Sequence, residues 1–189
     1  MNLINPWKTL CSRVAYENNW LKILEDKVIR PDGKEGIYGT VSIPDCVFVA
    51  AVTDDDEVYL VGQFRYPIQA YSWELIAGSI EKDESPLEAA QRELLEEAGI
   101  VAKSWQQCGA IIQNSPGLVS HRVHYYIARD LTVKETQPEP SEILQIKKVP
   151  LNEAVNLIDS GEIADSLTSL GIFKIIHTLY MADNLQIAC

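Results

Sequence analysis

Basic residues are the scarce class in this sequence. Lys and Arg together number 16 against 27 Asp and Glu, a formal net charge of −11 over 189 residues. Binding nucleic acid without sequence preference needs a basic footprint, so no nucleic-acid partner is expected. An anionic small molecule stays possible where local basic groups or metal ions offset the repulsion. Histidine is scarce too, and the 3 present, at 121, 124 and 177, show no ligand spacing. The four cysteines stand apart at 11, 46, 108 and 189 with no C-x-x-C pair. That spacing argues against a zinc site and against a disulfide framework. No apolar run approaches ~18 residues, so no segment is expected to span a membrane. The first twenty residues are neither basic-then-apolar nor Arg-rich, and no targeting segment is expected. The reading is a cytoplasmic protein with reduced thiols.

What is present is an ordinary globular composition, 47% hydrophobic and 23% charged, in a chain long enough for one domain or one domain plus a small appendage. Residues 13 to 30 alternate polar and apolar and predict two short strands, with "PDGK" at 31 to 34 as the following turn. "EGIYGTVSI" at 35 to 43 reads as strand. "CVFVAAVT" at 46 to 53 is almost continuously apolar, the pattern of a strand buried on both faces. "VYLVGQFRY" at 58 to 66 and "SWELIAG" at 72 to 78 are further strands, and "SWQQCGAIIQ" and "RVHYYIARDL" form a pair broken by "NSPG" at 114 to 117. "TQPEPSE" at 136 to 142 is an acidic, Pro-rich loop before the strand "ILQIKKVPL". A short helix with a glycine stop at Gly161 and a closing helix from "DSLTSLGIFKIIHTLYMA" complete the chain. The expected class is a mixed α/β sandwich with an N-terminal strand extension over residues 1–45 and the main domain over 46–189.

The stretch "GSIEKDESPLEAAQRELLEEAGI", residues 78 to 100, carries the chemistry. Ser85 and Glu88 form an S-x-x-E capping box with Pro86 at the first helical position, and Gly99 supplies a C-terminal stop, so a helix is expected over 86 to 98. At ~100° per residue, Leu87, Ala90, Leu94 and Ala98 fall on one core-facing stripe. Glu93, Glu96 and Glu97, at i, i+3 and i+4, fall on an adjacent one. Acidic groups at the negative end of a helix dipole cost ~0.3–1 kcal/mol each, and their mutual repulsion adds to that. A run of Glu is most often a solvated face. A hard divalent cation among these three would instead relieve the charge, and Mg²⁺ prefers carboxylate oxygens, waters and substrate phosphates.

The spacing G-x5-E-x7-R-E-L-x-E-E-x-G-I resembles the Nudix box at every defined position: Gly78, Glu84, Arg92, Glu93, Leu94, Glu96, Glu97, Gly99 and Ile100. The resemblance implies an α/β/α sandwich with a mixed sheet and hydrolysis of a nucleoside diphosphate linked to another moiety, with Mg²⁺ or Mn²⁺ as cofactor. It implies metal binding by Glu93, Glu96 and Glu97, with a backbone carbonyl at Ala77 or Gly78 as a further ligand. Glu84 and Arg92 would form a bracing ion pair.

Flanking segments are similar to ADP-ribose pyrophosphatases and related nucleotide-sugar hydrolases, over a likeness running from about Trp7 to Ile175. They include "QFRYPIQAYSWELIAG" at 63 to 78, the Ser-Pro-Gly loop at 115 to 117 and "VPLNEAVNLIDSGEIADSLT". The resemblance places Arg65 at the substrate's phosphates, with a surface strand arginine as the alternative. It makes Glu142 the general base, with Glu139 next and plain loop acids as the alternative. Where the group often carries Asp-Glu after the Ser-Pro-Gly loop, this chain has Ser120 and His121, and a common Gly-Gly at the box start is Gly78-Ser79. It also implies a homodimer that exchanges the N-terminal extension. There Trp20 either stacks the nucleobase or packs in the core or dimer interface. The substrate expected is ADP-ribose or a related nucleotide sugar, giving AMP and ribose 5-phosphate from ADP-ribose. GDP-mannose or another nucleotide sugar is the alternative substrate, and a non-catalytic nucleotide sensor is the alternative of another class.

Overall fold

The computed structural model describes residues 4–134 and 144–181. They divide into two compact units, one made of the chain up to Asp45 together with Ile112–Arg122, the other of Cys46–Ile111 and the chain from Val123 onward.

The first unit is a sheet of β1 (Lys8–Glu17), β2 (Lys22–Ile29), β3 (Glu35–Ser42) and the two-residue β10 (Val119–Ser120), in the order β1-β2-β3-β10. β1, β2 and β3 pair antiparallel, and β10 joins β3 in parallel, Val119 opposite Val41. The first strand starts earlier than the alternation suggests. It turns into β2 through Asn18, whose Oδ1 accepts from the N–H groups of Trp20 and Leu21 at 2.8 and 2.9 Å. Residues 112–122, expected with the main domain, belong here through contacts local sequence does not encode. The Tyr38 hydroxyl donates to the Gly117 carbonyl at 2.7 Å, and Arg122 is paired with Asp45.

The second unit is built on β4 (Cys46–Ala51), β5 (Glu57–Arg65), β6 (Ala70–Glu74), β7 (Ile76–Ser79), β8 (Ile100–Gln107), β11 (Arg122–Val133) and β12 (Gln145–Pro150). The short strand β9 (Ile112–Gln113) falls in the first unit. One sheet of the second unit runs β7-β4-β11-β8, and a second runs β12-β5-β6. β4 lies parallel to β11 and antiparallel to β7, so the sheet is mixed as expected. All six residues of β4 are buried. Val47, Val49 and Ala51 join Ala89, Ala90, Leu94 and Ala98 of α1 (Pro86–Ala98) in one core. Phe48 packs on Tyr125 instead, with ring centroids 5.5 Å apart. The Tyr125 hydroxyl donates to the Leu167 carbonyl in α3 (Ser166–Ile176) at 2.8 Å. The apolar run therefore serves two faces, each covered by a helix, and the layers are α/β/α. α2 (Leu151–Asp159) precedes α3, and a π-helical stretch, His177–Met181, follows it.

The sequence treats "SWELIAG" as one strand. It is two, in different sheets: β6 pairs with β5 and β7 pairs with β4, and the chain crosses over at the buried Leu75. Its backbone N–H donates to the buried Thr168 hydroxyl at 3.3 Å. This crossover delivers Glu74 to one sheet and Ala77 to the other within three residues. No helix among the described residues is long and apolar enough to cross a membrane. Cys46 and Cys108 are buried, and Cys11 is exposed.

Candidate active site

Helix α1 forms with the bounds its caps prescribe. The Ser85 hydroxyl accepts from the Glu88 N–H at 3.3 Å and the Glu88 carboxylate accepts from the Ser85 N–H at 2.8 Å, the reciprocal pair of a capping box. At the other end Gly99 adopts φ 62°, the left-handed conformation glycine takes without a Cβ clash, and its N–H closes the last turn. No basic residue stands in that turn. The stripe expected to face the core is right for Ala90, Leu94 and Ala98. It is wrong for Leu87, 37% exposed, while Ala89 is fully buried. Leu87 sits in the first turn of the helix.

Arg92 organises the charged side. Nε and Nη2 donate to the two oxygens of Glu84 at 2.9 and 3.0 Å, and Nη2 also donates to the Ser79 carbonyl at 2.9 Å. Nη1 donates to Glu93 at 2.7 Å and Glu96 at 3.0 Å. A guanidinium has five N–H donors, so all of them are engaged. The Arg92 pKa is driven far above its usual value, mainly by Glu84, and Arg92 in turn holds the Glu84 carboxyl below the usual range. The expected Glu84–Arg92 brace is present. Its ties to Ser79 and to two further acids are not readable from the box spacing.

Glu97 is 4% exposed, and its Oε2 accepts from the Ala77 N–H at 3.1 Å. Glu93 lies against Gly78 so closely that a Cβ on Gly78 would meet Glu93 Oε1 at 1.8 Å. The strand end Ala77–Gly78 and the helix end Glu93–Glu97 therefore form one constellation, fixed by the β4/β7 pairing. The oxygen donors of Glu93, Glu96, Glu97 and the Ala77 carbonyl suit a hard cation such as Mg²⁺ in kind, and the glycine leaves the Glu93 carboxylate room that any other residue would fill. Among the described residues, no group of three or more His, Cys, Asp or Glu converges on a single point. Glu93 and Glu96 share Arg92, and Glu97 bonds to Ala77.

Arg65 lies elsewhere on the same unit, at the end of β5. Its guanidinium is held in an ion pair with Glu74. Nε donates to Glu74 Oε1 at 2.8 Å, and Nη2 pairs with Oε2. Glu74 is 3% exposed. Glu74 raises the Arg65 pKa most, with smaller contributions from Asp165 and Glu97. Arg65, Glu74, Ser72, Phe48, Asp165 and Ser166 line a cavity of about 320 Å³. Phe48 is the register partner of Ala77, the residue whose N–H bonds to Glu97. Sequence reasoning missed Glu74 and Asp165. The one available signal was an acid inside the otherwise apolar "SWELIAG".

Glu142 and Glu139 lie outside the described residues. Trp20 belongs to the first unit, at the β1–β2 turn, and is 74% exposed. It is not part of the core of this chain, because a four-residue turn at the sheet end offers nothing to pack on.

Two family descriptions match the chain. Residues 43–169 match the NUDIX domain, and residues 7–41 match the nucleoside diphosphate sugar hydrolase N-terminal domain. An ADP-ribose pyrophosphatase of Bacillus subtilis is 34% identical over 167 residues, 87% of this chain and 90% of the relative. A methanol dehydrogenase activator of Bacillus methanolicus is 29% identical over the same shares of each chain. A crystal structure titled ADP compounds hydrolase superposes with a TM-score of 0.85 at 19% identity, covering 96% of this chain and 98% of that one, a likeness of fold. With the box intact, the sandwich in place and the domain match spanning most of the chain, the protein belongs to the Nudix family of pyrophosphohydrolases.

Proposed function

We propose that the protein hydrolyses the pyrophosphate bond of ADP-ribose or a related nucleoside diphosphate sugar, with Mg²⁺ or Mn²⁺ as cofactor. The observation that carries the reading is the constellation at the C-terminal end of α1. Three carboxylates gather there against the dipole's preference, one bonded to the Ala77 N–H and one against a glycine with no room for a Cβ. The name of the Bacillus subtilis relative, ADP-ribose pyrophosphatase, supports the substrate class.

Glu93, Glu96, Glu97 and the Ala77 carbonyl would hold the cation. Bound there, it would neutralise charge on the diphosphate oxygens, the main obstacle to attack by water. The chain's own groups do the rest. The Ala77 N–H holds the Glu97 carboxylate by a hydrogen bond. Arg92, tied to Glu84 and the Ser79 carbonyl, fixes the turn before the helix to the helix itself. Arg65 meets the phosphates from the cavity side, where a guanidinium matches two oxygens at once. Glu142, or Glu139, takes the proton from the attacking water. Its oxygen joins one phosphorus while the anhydride P–O bond breaks, and ADP-ribose yields AMP and ribose 5-phosphate. Residues 1–45 serve dimerisation and substrate contacts, Trp20 among the latter. β1 exposes all ten of its residues, as a strand awaiting a second copy would.

The test is phosphate release in the presence of added phosphatase, over a panel of nucleotide sugars that includes ADP-ribose and GDP-mannose, with Mg²⁺ and with Mn²⁺. Turnover of ADP-ribose above the rest supports the reading, and preference for GDP-mannose replaces the substrate. Silence across the panel with both metals overturns the reading in favour of a nucleotide sensor. Light scattering on the full chain tests the homodimer.

A further inference from the structure

Glu74 ends β6 at 3% exposure. A carboxylate withdrawn that far from water is retained at a cost unless a partner satisfies it, and a buried pair is weak evidence for stability alone. Its partner is Arg65, held by two bonds, Nε to Oε1 at 2.8 Å and Nη2 to Oε2. Register does not bring the two together. Arg65 stands opposite Ala70, and Glu74 opposite Val61. The arginine must reach along β6, past the buried Ser72, to find the carboxylate. Two parallel bonds fix the plane of a guanidinium as well as its position. They use the Nε–Nη2 edge and leave Nη1 without a hydrogen bond among the described residues. Both side chains line the 320 Å³ cavity, together with Asp165 and Ser166.

We propose that Glu74 is a positioning residue for the reaction. It locks Arg65 by one edge so that the other edge meets the substrate's diphosphate in this cavity. This rests on the diphosphate-hydrolase reading above. Glu74 adds a negative charge to a cavity that receives an anion, so its contribution is orientation and not attraction. An unheld arginine would still attract the phosphates, but in many poses. Those two effects separate in kinetics.

The experiment measures kcat and KM for wild type, Glu74→Gln, Glu74→Asp, Arg65→Gln and the Arg65→Gln/Glu74→Gln double variant, with thermal melting of each. For Glu74→Gln, kcat is expected to fall ~10–100-fold, the range for small misplacements of a binding group. KM should stay level or drop, because a repelling charge is gone. Arg65→Gln should raise KM and lower kcat, and adding Glu74→Gln to it should lower kcat no further, since a positioning residue has nothing left to position. A purely structural Glu74 would lower the melting temperature and leave kcat per folded molecule unchanged, which overturns the proposal. Independent, additive losses in the double variant overturn it too. Should Glu74→Gln fail to fold, Glu74→Asp decides: it keeps the charge but shortens the reach, so unchanged kcat overturns the proposal. Wild-type turnover alongside an unaffected Glu74→Gln removes only this inference. No wild-type turnover of any nucleotide sugar removes the hydrolase reading as well.

Discussion

Helix α1 buries Ala89, Ala90, Leu94 and Ala98 in the core it shares with β4, while Arg92, Glu93 and Glu96 form a charged cluster with Glu84 and the Ser79 carbonyl. Both sides come from thirteen residues. The apolar side is held by packing, which is non-directional and scales with the area removed from water. The charged side is held by directional bonds that use every donor of one guanidinium. The two sides should therefore fail differently, one by unfolding and the other by loss of chemistry in a folded protein. Glu97 is the seam between them, as buried as Ala98 yet carrying a carboxyl group.

The largest effect expected is on the apolar side. Leu94 is fully buried, and Leu94→Ala should destabilise by about 2–5 kcal/mol, the range for a leucine deleted from a packed core. Denaturant titration measures it, and kcat of the fraction still folded should match wild type. A large loss of kcat at intact stability would mean the two sides are not separable.

Glu97→Gln is the counterpart. Glutamine keeps the shape and an acceptor oxygen for the Ala77 N–H, so melting should hardly move. Turnover should fall ~10²–10³-fold, the usual loss when one preorganised electrostatic group is removed from an active site. Unchanged turnover would take Glu97 out of the catalytic assignment.

Glu84→Gln probes the brace, with a smaller effect of about 1–3 kcal/mol from leaving part of Arg92 unsatisfied. It also has a pH signature. The folded pKa of Glu84 is depressed, mainly by Arg92, so its contribution is fully present above the unfolded carboxylate value. It is lost as pH falls through the lower folded value. Wild type should lose stability over that acidic window more steeply than Glu84→Gln. Parallel curves would show that another acid dominates the acid limb.

These residues also show what sequence carries. The bounds of α1 were legible because capping is local: Ser85, Glu88, Pro86 and Gly99 act on backbone groups within a few residues of themselves. The Glu84–Arg92 pair was legible because the box spacing resembles a known one. The division of "SWELIAG" between two sheets was not, since strand partners are chosen by residues far along the chain. The same holds for the cavity, whose walls come from Arg65, Glu74 and Asp165. A pattern of three glutamates marked a charged site but gave no sign that Glu97 is buried and Glu96 half-exposed, because that depends on where β7 ends.

The smallest effect sharpens the boundary of the apolar side. By periodicity Leu87 belongs with Ala90, Leu94 and Ala98, yet it stands in the first turn at 37% exposure. Surface substitutions of this kind usually change stability by no more than about 0.5 kcal/mol, and alanine is a slightly better helix former than leucine. Leu87→Ala should therefore leave the denaturation midpoint within error of wild type and leave kcat alone. A loss comparable to that of Leu94→Ala would mean that Leu87 is covered in solution, by a second copy of the chain or by residues outside those described, and the apolar side of α1 would then extend to its first turn.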